Sequence, residues 1–269
     1  MLNLIGLELC IKTLIYGEGR MKRVAIISVI LIPLLMMSCK KENPVVTEPV
    51  KLEPVIPLAL GNYWLYRRYE LNPDGTGGRP SLVKLGFVID DTVTQVINGE
   101  SVLNYKVFIC DSTLKPFYDK PGSFEGSKLV YQNGNGLYYA GIEKHDTVKM
   151  SFNDLIFPYT AKKDESLTGH VFYYSHSGNY SNVPDDAITQ YTCVSTDSLI
   201  STPVGDFTCV VYKMAYVDFE PLYRDEVYYF IKPGLGIVGM VQMVYHYNSK
   251  EYRYMRKTLL TDYKIEKGK

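Results

Sequence analysis

Beyond Leu60 the chain is cut at short intervals by Asn, Gly, Pro and Asp, and the segments between are dense in Val, Ile, Tyr, Thr and Phe. β-Branched and aromatic side chains suit a half-buried pleated surface, and the intervening residues suit turns. No window from 58 to 269 repeats apolar residues at i, i+3, i+4 and i+7, so no amphipathic helix is available to cover a sheet. That combination confines the chain to an all-β fold. It predicts strands near 61–71, 81–97, 101–111, 128–133, 136–143, 145–152, 169–176, 188–201, 206–217, 225–232, 236–247 and 251–263. The loops are mostly short, which favours a sequential antiparallel meander of roughly 10–12 strands. The expected form is a barrel or a strongly curved open sheet, with a β-sandwich as the alternative. One domain over 58–269 is expected. A split within 153–168, where the strand pattern is weakest, is the second choice.

Three turns carry register information. Asn98-Gly99 lies between two strand-like runs and suits a type I′ turn, which needs positive φ at both positions. A two-residue loop there pairs Ile97 with Glu100. It sets Asp91 opposite Lys106, Ile89 opposite Phe108 and Phe87 opposite Cys110, a charge pair and apolar pairs on one face. Pro203-Val204-Gly205 is expected as a three-residue loop between Thr202 and Asp206, and Pro233-Gly234-Leu235-Gly236 as another tight reversal.

The N-terminal region reads as targeting sequence. Met21-Lys22-Arg23 is a short positive start, Val24–Met37 is apolar apart from Ser28 and Pro33, and Ser38-Cys39-Lys40-Lys41 follows. This run is shorter than the about 20 residues a membrane span needs. With its charged start and small residue before Cys39, 21–38 reads as a signal peptide. Met36-Met37-Ser38-Cys39 resembles the bacterial lipobox, with Met36 where Leu is usual. The resemblance implies that Cys39 becomes the first residue and is diacylated, tying the protein to a membrane of the bacterial envelope, the outer rather than the inner. Residues 1–20 read as an upstream extension ahead of a true start at Met21. Residues 39–57, with Pro44, Pro49, Pro54 and Pro57, read as a proline-rich tether, which at about 3.1 Å per residue reaches roughly 50 Å.

Lys and Arg number 29 against 29 Asp and Glu. Such a balance gives no field to attract nucleic acid. A 46% hydrophobic composition is too apolar for a disordered chain.

Pro57-Leu58-Ala59-Leu60-Gly61-Asn62-Tyr63-Trp64-Leu65-Tyr66 resembles the opening of uncharacterised bacterial secreted and lipid-anchored β-proteins, whose pattern is Pro-Leu-x-x-Gly-Asn-x-Trp-x-Tyr. Thr202-Pro203-Val204-Gly205-Asp206-Phe207 and the tyrosine-rich stretch with its Gly-x-Gly turn in Val227–Val238 are similar to later features of those proteins. The resemblance implies secretion and an all-β fold, and no activity.

Residues that carry chemistry are sparse. After the leader the cysteines are Cys110, Cys193 and Cys209. In the predicted hairpin Cys209 faces Leu199, so Cys193 lies about 20 Å further along, beyond disulfide reach. All three read as small buried hydrophobes. The histidines are His145, His170, His176 and His246. His170 and His176 share a face by parity but stand about 20 Å apart along a strand, too far to chelate one ion. The sequence holds no His-Glu-x-x-His, Cys-x-x-Cys or Gly-x-Ser-x-Gly. Asn72-Pro73-Asp74-Gly75 reads as a turn, since it lacks the further carboxylates of a calcium loop. Gly234–Gly239 matches Gly-x-Gly-x-x-Gly but opens a strand rather than a helix, which argues against a nucleotide. Asp185-Asp186 could serve a glycosidase, but reads as a solvated loop. Asp91-Thr92-Val93, Asp111-Ser112-Thr113, Asp146-Thr147-Val148 and Asp197-Ser198-Leu199 resemble an O-glycosylation acceptor of bacterial envelope proteins, in a motif short enough to recur by chance.

There are 24 tyrosines, densest at Tyr173-Tyr174, Tyr228-Tyr229 and Tyr245/Tyr247. They suit cross-strand packing, or an aromatic surface for a sugar, lipid or protein. Trp64, the one tryptophan, is expected to be buried on the same side as Tyr66. The sequence thus predicts a lipid-anchored envelope scaffold that binds an unidentified ligand or partner without catalysis, cofactor or metal. The alternatives are a secreted hydrolase using carboxylates the sequence does not identify, and a structural subunit of an envelope assembly.

Overall fold

The structure, a computed structural model, describes residues 53–115, 127–144, 147–170, 188–217, 225–246 and 248–266. Cys39 and the whole leader lie outside the described residues, as do His145, His176, Tyr173-Tyr174, Asp185-Asp186 and Tyr247. The described residues form twelve strands: β1 (Tyr63–Glu70), β2 (Arg79–Ile97), β3 (Glu100–Cys110), β4 (Ser127–Asn133), β5 (Gly136–Lys144), β6 (Thr147–Pro158), β7 (Ser166–His170), β8 (Ile188–Thr202), β9 (Gly205–Tyr216), β10 (Glu226–Lys232), β11 (Gly236–His246) and β12 (Glu251–Lys264). All join one antiparallel sheet in the order β6-β5-β4-β3-β2-β1-β12-β11-β10-β9-β8-β7. Every strand neighbours its sequence neighbours, except that β1 pairs with β12 and the ladder is cut between β6 and β7. A sheet of this size curls, and here it is nearly closed into a barrel. The sandwich alternative is thereby replaced by a single sheet.

Two strand boundaries differ from the sequence expectation. β6 runs on to Pro158, and β7 starts at Ser166. Between Leu137↔Phe157 and Tyr138↔Leu155 the β5–β6 register slips, which leaves Ile156 as an extra residue. Both Ile156 and Phe157 are buried. A bulge destroys the alternation on which sequence reading depends, so this half of β6 looks patternless.

The Asn98-Gly99 hairpin pairs Ile97 with Glu100 and Asp91 with Lys106 as expected, and Asn98 and Gly99 have φ of 52° and 84°. Past Asp91 the expected register fails. A bulge at Asp90 puts Ile89 opposite Val107, Val88 opposite Phe108 and Gly86 opposite Cys110. Leu85, Phe87, Ile89 and Val107 then face the main core, while Val88, Phe108 and Cys110 form a small cluster on the other face with Tyr63 and Leu65. The Thr202 turn is also tighter than expected. Thr202 pairs with Gly205 across a two-residue loop, which places Cys209 opposite Ser198 rather than Leu199. Gly205 supplies the φ of 137° that this turn requires.

The main core gathers aromatic and aliphatic side chains from all round the sheet. Phe157 on β6 touches Tyr191, Tyr212 and Tyr229 on β8, β9 and β10 at ring-centroid distances of 5.9, 5.2 and 5.9 Å. The three described cysteines are free and buried.

Burial pushes the Cys110 thiol from 9.0 up to about 12, with the Asp111 charge adding to the shift, and pushes the Cys209 thiol up to about 11. Lys106 moves the same way. Burial alone would lower it, but bonds to Asp91 and Glu143 outweigh that and hold the ammonium above the usual lysine range. Each group holds its proton more tightly folded than unfolded. Its stabilisation is therefore complete below the unfolded value and fades as pH rises through the folded one. Stability to urea is expected to fall from about pH 9 toward pH 12, and Cys110→Ala to flatten part of that slope. Stability that holds level or rises over this range would contradict the assignment.

Candidate functional site

The Pro-Leu-x-x-Gly-Asn-x-Trp-x-Tyr stretch is a clasp. Gly61, with φ of 81°, turns the chain into β1, and its N–H donates to the Ile89 carbonyl at 2.8 Å. Asn62 is fully buried. Its Nδ2 donates to the Pro57 carbonyl at 2.9 Å, and its Oδ1 accepts the Glu266 N–H at 2.6 Å. One amide thus ties the entering and the leaving chain together. Trp64 Nε1 donates to the Leu235 carbonyl at 2.6 Å, and the Tyr66 hydroxyl donates to the Ile237 carbonyl at 2.8 Å. Both rings lie on the inner face as expected, 3% and 1% exposed. The Gly234 N–H donates to the Pro54 carbonyl at 2.7 Å, and the Gln132 amide donates to the Ile56 carbonyl. Gly236, with φ of 102°, sits so close that an added Cβ would lie 3.4 Å from Trp64 Nε1 and from Ile56. The Gly-x-Gly turn therefore receives the Trp64 ring and the 53–57 segment. Val55, Ile56 and Pro57, in the segment read from sequence as tether, are buried here.

Behind the clasp, Trp64, Tyr66, Phe87, Ile89, Val130 and Ile237 line an apolar void of about 20 Å³. That is room for about one water, with no polar group to hold it. A larger hollow, about 250 Å³, is an open surface depression beside Asn135, Tyr159, Thr160, Lys162 and Glu165.

The cut between β6 and β7 brings together residues that sequence reasoning missed. Asp154 on β6 is cross-strand partner to Tyr139 on β5. Asp154 Oδ2 accepts the His170 backbone N–H at 2.8 Å and stands 2.6 Å from His170 Nδ1. The imidazole stacks on Phe152 at 3.7 Å, and Phe152 leans on Tyr139, whose hydroxyl accepts from Lys128 Nζ at 3.1 Å. Asp154 and His170 meet because their strands are the two ends of a curled sheet. Nothing local in the sequence signals that, since Asp154 and His170 are sixteen residues apart on strands that do not pair. Chemically the pair offers a carboxylate-oriented imidazole.

The outer wall carries the tyrosines. Tyr229 is buried in the core and its neighbour Tyr228 faces outward. The registers Tyr228↔Val241, Glu226↔Met243, Met243↔Tyr254 and Tyr245↔Tyr252 put Tyr228, Met243, Tyr245, Tyr252 and Tyr254 on one face of β10–β12. Tyr252 and Tyr254 are 41% and 40% exposed. The Tyr228 hydroxyl donates to Glu226 at 2.7 Å. Burial, and then that bond, push its phenol well above the usual tyrosine range.

Other sequence candidates separate. Asp74 Oδ1 accepts from the Thr76 N–H and hydroxyl at 2.9 and 2.6 Å, which makes the 72–76 stretch a self-contained turn. His246 ends β11, exposed. Of the Asp-Ser/Thr motifs, Thr92 lies in β2, Ser198 in β8 and Ser112 in an exposed turn after β3. Asp111 in that turn bonds Thr113. Among the described residues, no group of three or more His, Cys, Asp or Glu could hold a metal ion, and no helix is long and apolar enough to cross a membrane.

No family model matches the chain, and no curated protein matches it. Among solved structures it resembles a Bacteroides fragilis NCTC 9343 protein described as exported and of YmcC-like fold, at 15% identity and a TM-score of 0.40. It also resembles a Parabacteroides distasonis ATCC 8503 protein described as a lipoprotein, at 15% identity and a TM-score of 0.37. Each match covers 79% of this chain and 99% of the other. Likeness at this level transfers no function.

Proposed function

We propose that this is a lipid-anchored protein of the bacterial envelope, held by a diacylated Cys39, in which the barrel is a non-catalytic scaffold that binds on its outer wall. One observation supports the second half of this reading: among the described residues, the inward side chains pack into one core, and the void behind the clasp is only about 20 Å³. Ligand pockets run to about 300–1,000 Å³, so a small molecule has no room there. The leader and Cys39 support the first half. On this reading Cys39→Ser leaves the chain without an acyl anchor, and the protein is expected to move from the membrane pellet to the soluble fraction after cell lysis. A mutant retained in washed membranes would refute the anchor.

The Asp154–His170 pair favours a second reading, a hydrolase, because an imidazole oriented by a carboxylate is a ready general base. Incubation with p-nitrophenyl esters and glycosides separates the two. The scaffold reading expects no turnover. Turnover by the wild type that His170→Gln removes would replace it.

A further inference from the structure

We propose that the surface hollow between the β4–β5 turn and the β6–β7 connection binds a small zwitterion, a free α-amino acid, which deepens the outer-wall reading above and rests on it. The frame of the hollow is fixed by backbone bonds. Pro158 ends β6 opposite Gly136, and the following N–H, of Tyr159, donates to the Asn135 carbonyl at 2.9 Å. At the far end of the connection the Asp164 N–H donates to the Cys193 carbonyl at 2.7 Å, and the Cys193 N–H donates to the Glu165 carbonyl at 2.9 Å. Asp164 makes this turn with φ of 67°, and the Glu165 N–H closes it on the Lys162 carbonyl at 3.1 Å. The connection is thus laced to the β4–β5 turn at one end and to β8 at the other. A ligand meets a rim that is already ordered, so little is lost in ordering it. The Tyr159 ring is held as well, its hydroxyl donating to Gln132 Oε1 at 3.0 Å. The hollow measures about 250 Å³. That is just below the roughly 300–1,000 Å³ of drug-sized sites, and suits a molecule of amino-acid size.

The charges that line the hollow select the ligand. Lys162 and Glu165 both line it, and both are exposed. Among the described residues neither has an ion-pair partner, and they do not pair with each other. Lys163 and Asp164 belong to the same connection but do not line the hollow. An anion there would meet the Glu165 carboxylate and a cation the Lys162 ammonium, each at a cost in like-charge repulsion. A molecule with an ammonium and a carboxylate a few bonds apart satisfies both. Its carboxylate accepts from Lys162 Nζ, and its ammonium donates to the Glu165 carboxylate. The Tyr159 ring and Pro158 offer apolar surface to the rest of the molecule, and the Thr160 hydroxyl a further polar contact.

The test is calorimetric titration of the detergent-solubilised full chain with the common amino acids. The best binder is then compared with its N-acetyl derivative, which keeps only the carboxylate, and its methyl ester, which keeps only the ammonium. At least one amino acid is expected to bind in the micromolar to millimolar range, as suits so small a ligand. Each derivative should bind roughly tenfold more weakly or worse, because one charged hydrogen bond is lost. Lys162→Gln and Glu165→Gln should each cost a similar factor, with circular dichroism unchanged because both side chains are exposed. No binding by any amino acid, undiminished binding of either derivative, or affinity indifferent to both variants would overturn the proposal while leaving outer-wall binding intact. An amino acid that binds both variants as well as the wild type and shifts Trp64 fluorescence would place the ligand inside the barrel and defeat both.

Discussion

Replacing Trp64 with alanine is expected to cost about 3–5 kcal/mol, a large part of the stability of a typical domain. The indole is 3% exposed, and its Nε1 donates to the Leu235 carbonyl at 2.6 Å. Removal empties a ring-sized volume next to Tyr66, Ile56 and Ile237, and strips a bonding partner from a buried carbonyl in the β10–β11 turn. That turn also holds the N-terminal segment through Gly234, so loss of the ring loosens both. Trp64→Phe separates the contributions. It keeps an aromatic ring and loses the hydrogen bond, and should cost about 1–3 kcal/mol. Urea unfolding followed by circular dichroism reads both variants. The wild-type indole should emit at short wavelength and resist acrylamide. A Trp64→Ala loss below about 1 kcal/mol would show the clasp to be dispensable.

Phe157→Ala should be equally costly, about 3–5 kcal/mol, and its effect should be localised. Phe157 is fully buried and reaches across the barrel to Tyr191, Tyr212 and Tyr229. β6 is laddered only to β5, because it is one end of the sheet. Cross-barrel packing by Phe157, together with the Asp154–His170 contact, does for this edge what a second ladder does elsewhere. Amide exchange should therefore rise in β5 and β6 well before β1 and β12, which sit at the centre of the strand order. Uniform loss of protection across the sheet would contradict that role.

The strand inventory was legible because it depends on local physics. Val, Ile, Tyr and Thr between Asn, Gly and Pro leave few other solutions, and the segments near 61–71, 188–201 and 206–217 match β1, β8 and β9 within a few residues. The Asn98-Gly99 turn and the Asp91–Lys106 pair were legible for the same reason, since a two-residue loop fixes the first rungs of a ladder. The limit came at the bulges. Asp90 and Ile156 each add a residue that the partner strand does not match. Every register inferred beyond such a point slips by one, and the slip exchanges the two faces. The Asp154–His170 pair lay further out of reach, because it depends on closure of the whole sheet. For the outer tyrosines, sequence showed the density and the opposed faces of Tyr228 and Tyr229, but not which one faced outward.

By itself, then, the sequence determined the all-β class, the number and approximate extent of the strands, the burial of Trp64 and Tyr66, and the near-neutral charge, all of which follow from side-chain chemistry and period. Only the tertiary structure decided that β1 pairs with β12, that inward side chains from both halves of the sheet meet in one core, that the Trp64 motif is a clasp, and that Tyr252 and Tyr254 stand on the outer wall. Those depend on curvature, on bulges and on contacts between distant strands, where packing energy is shared among residues that no local pattern links.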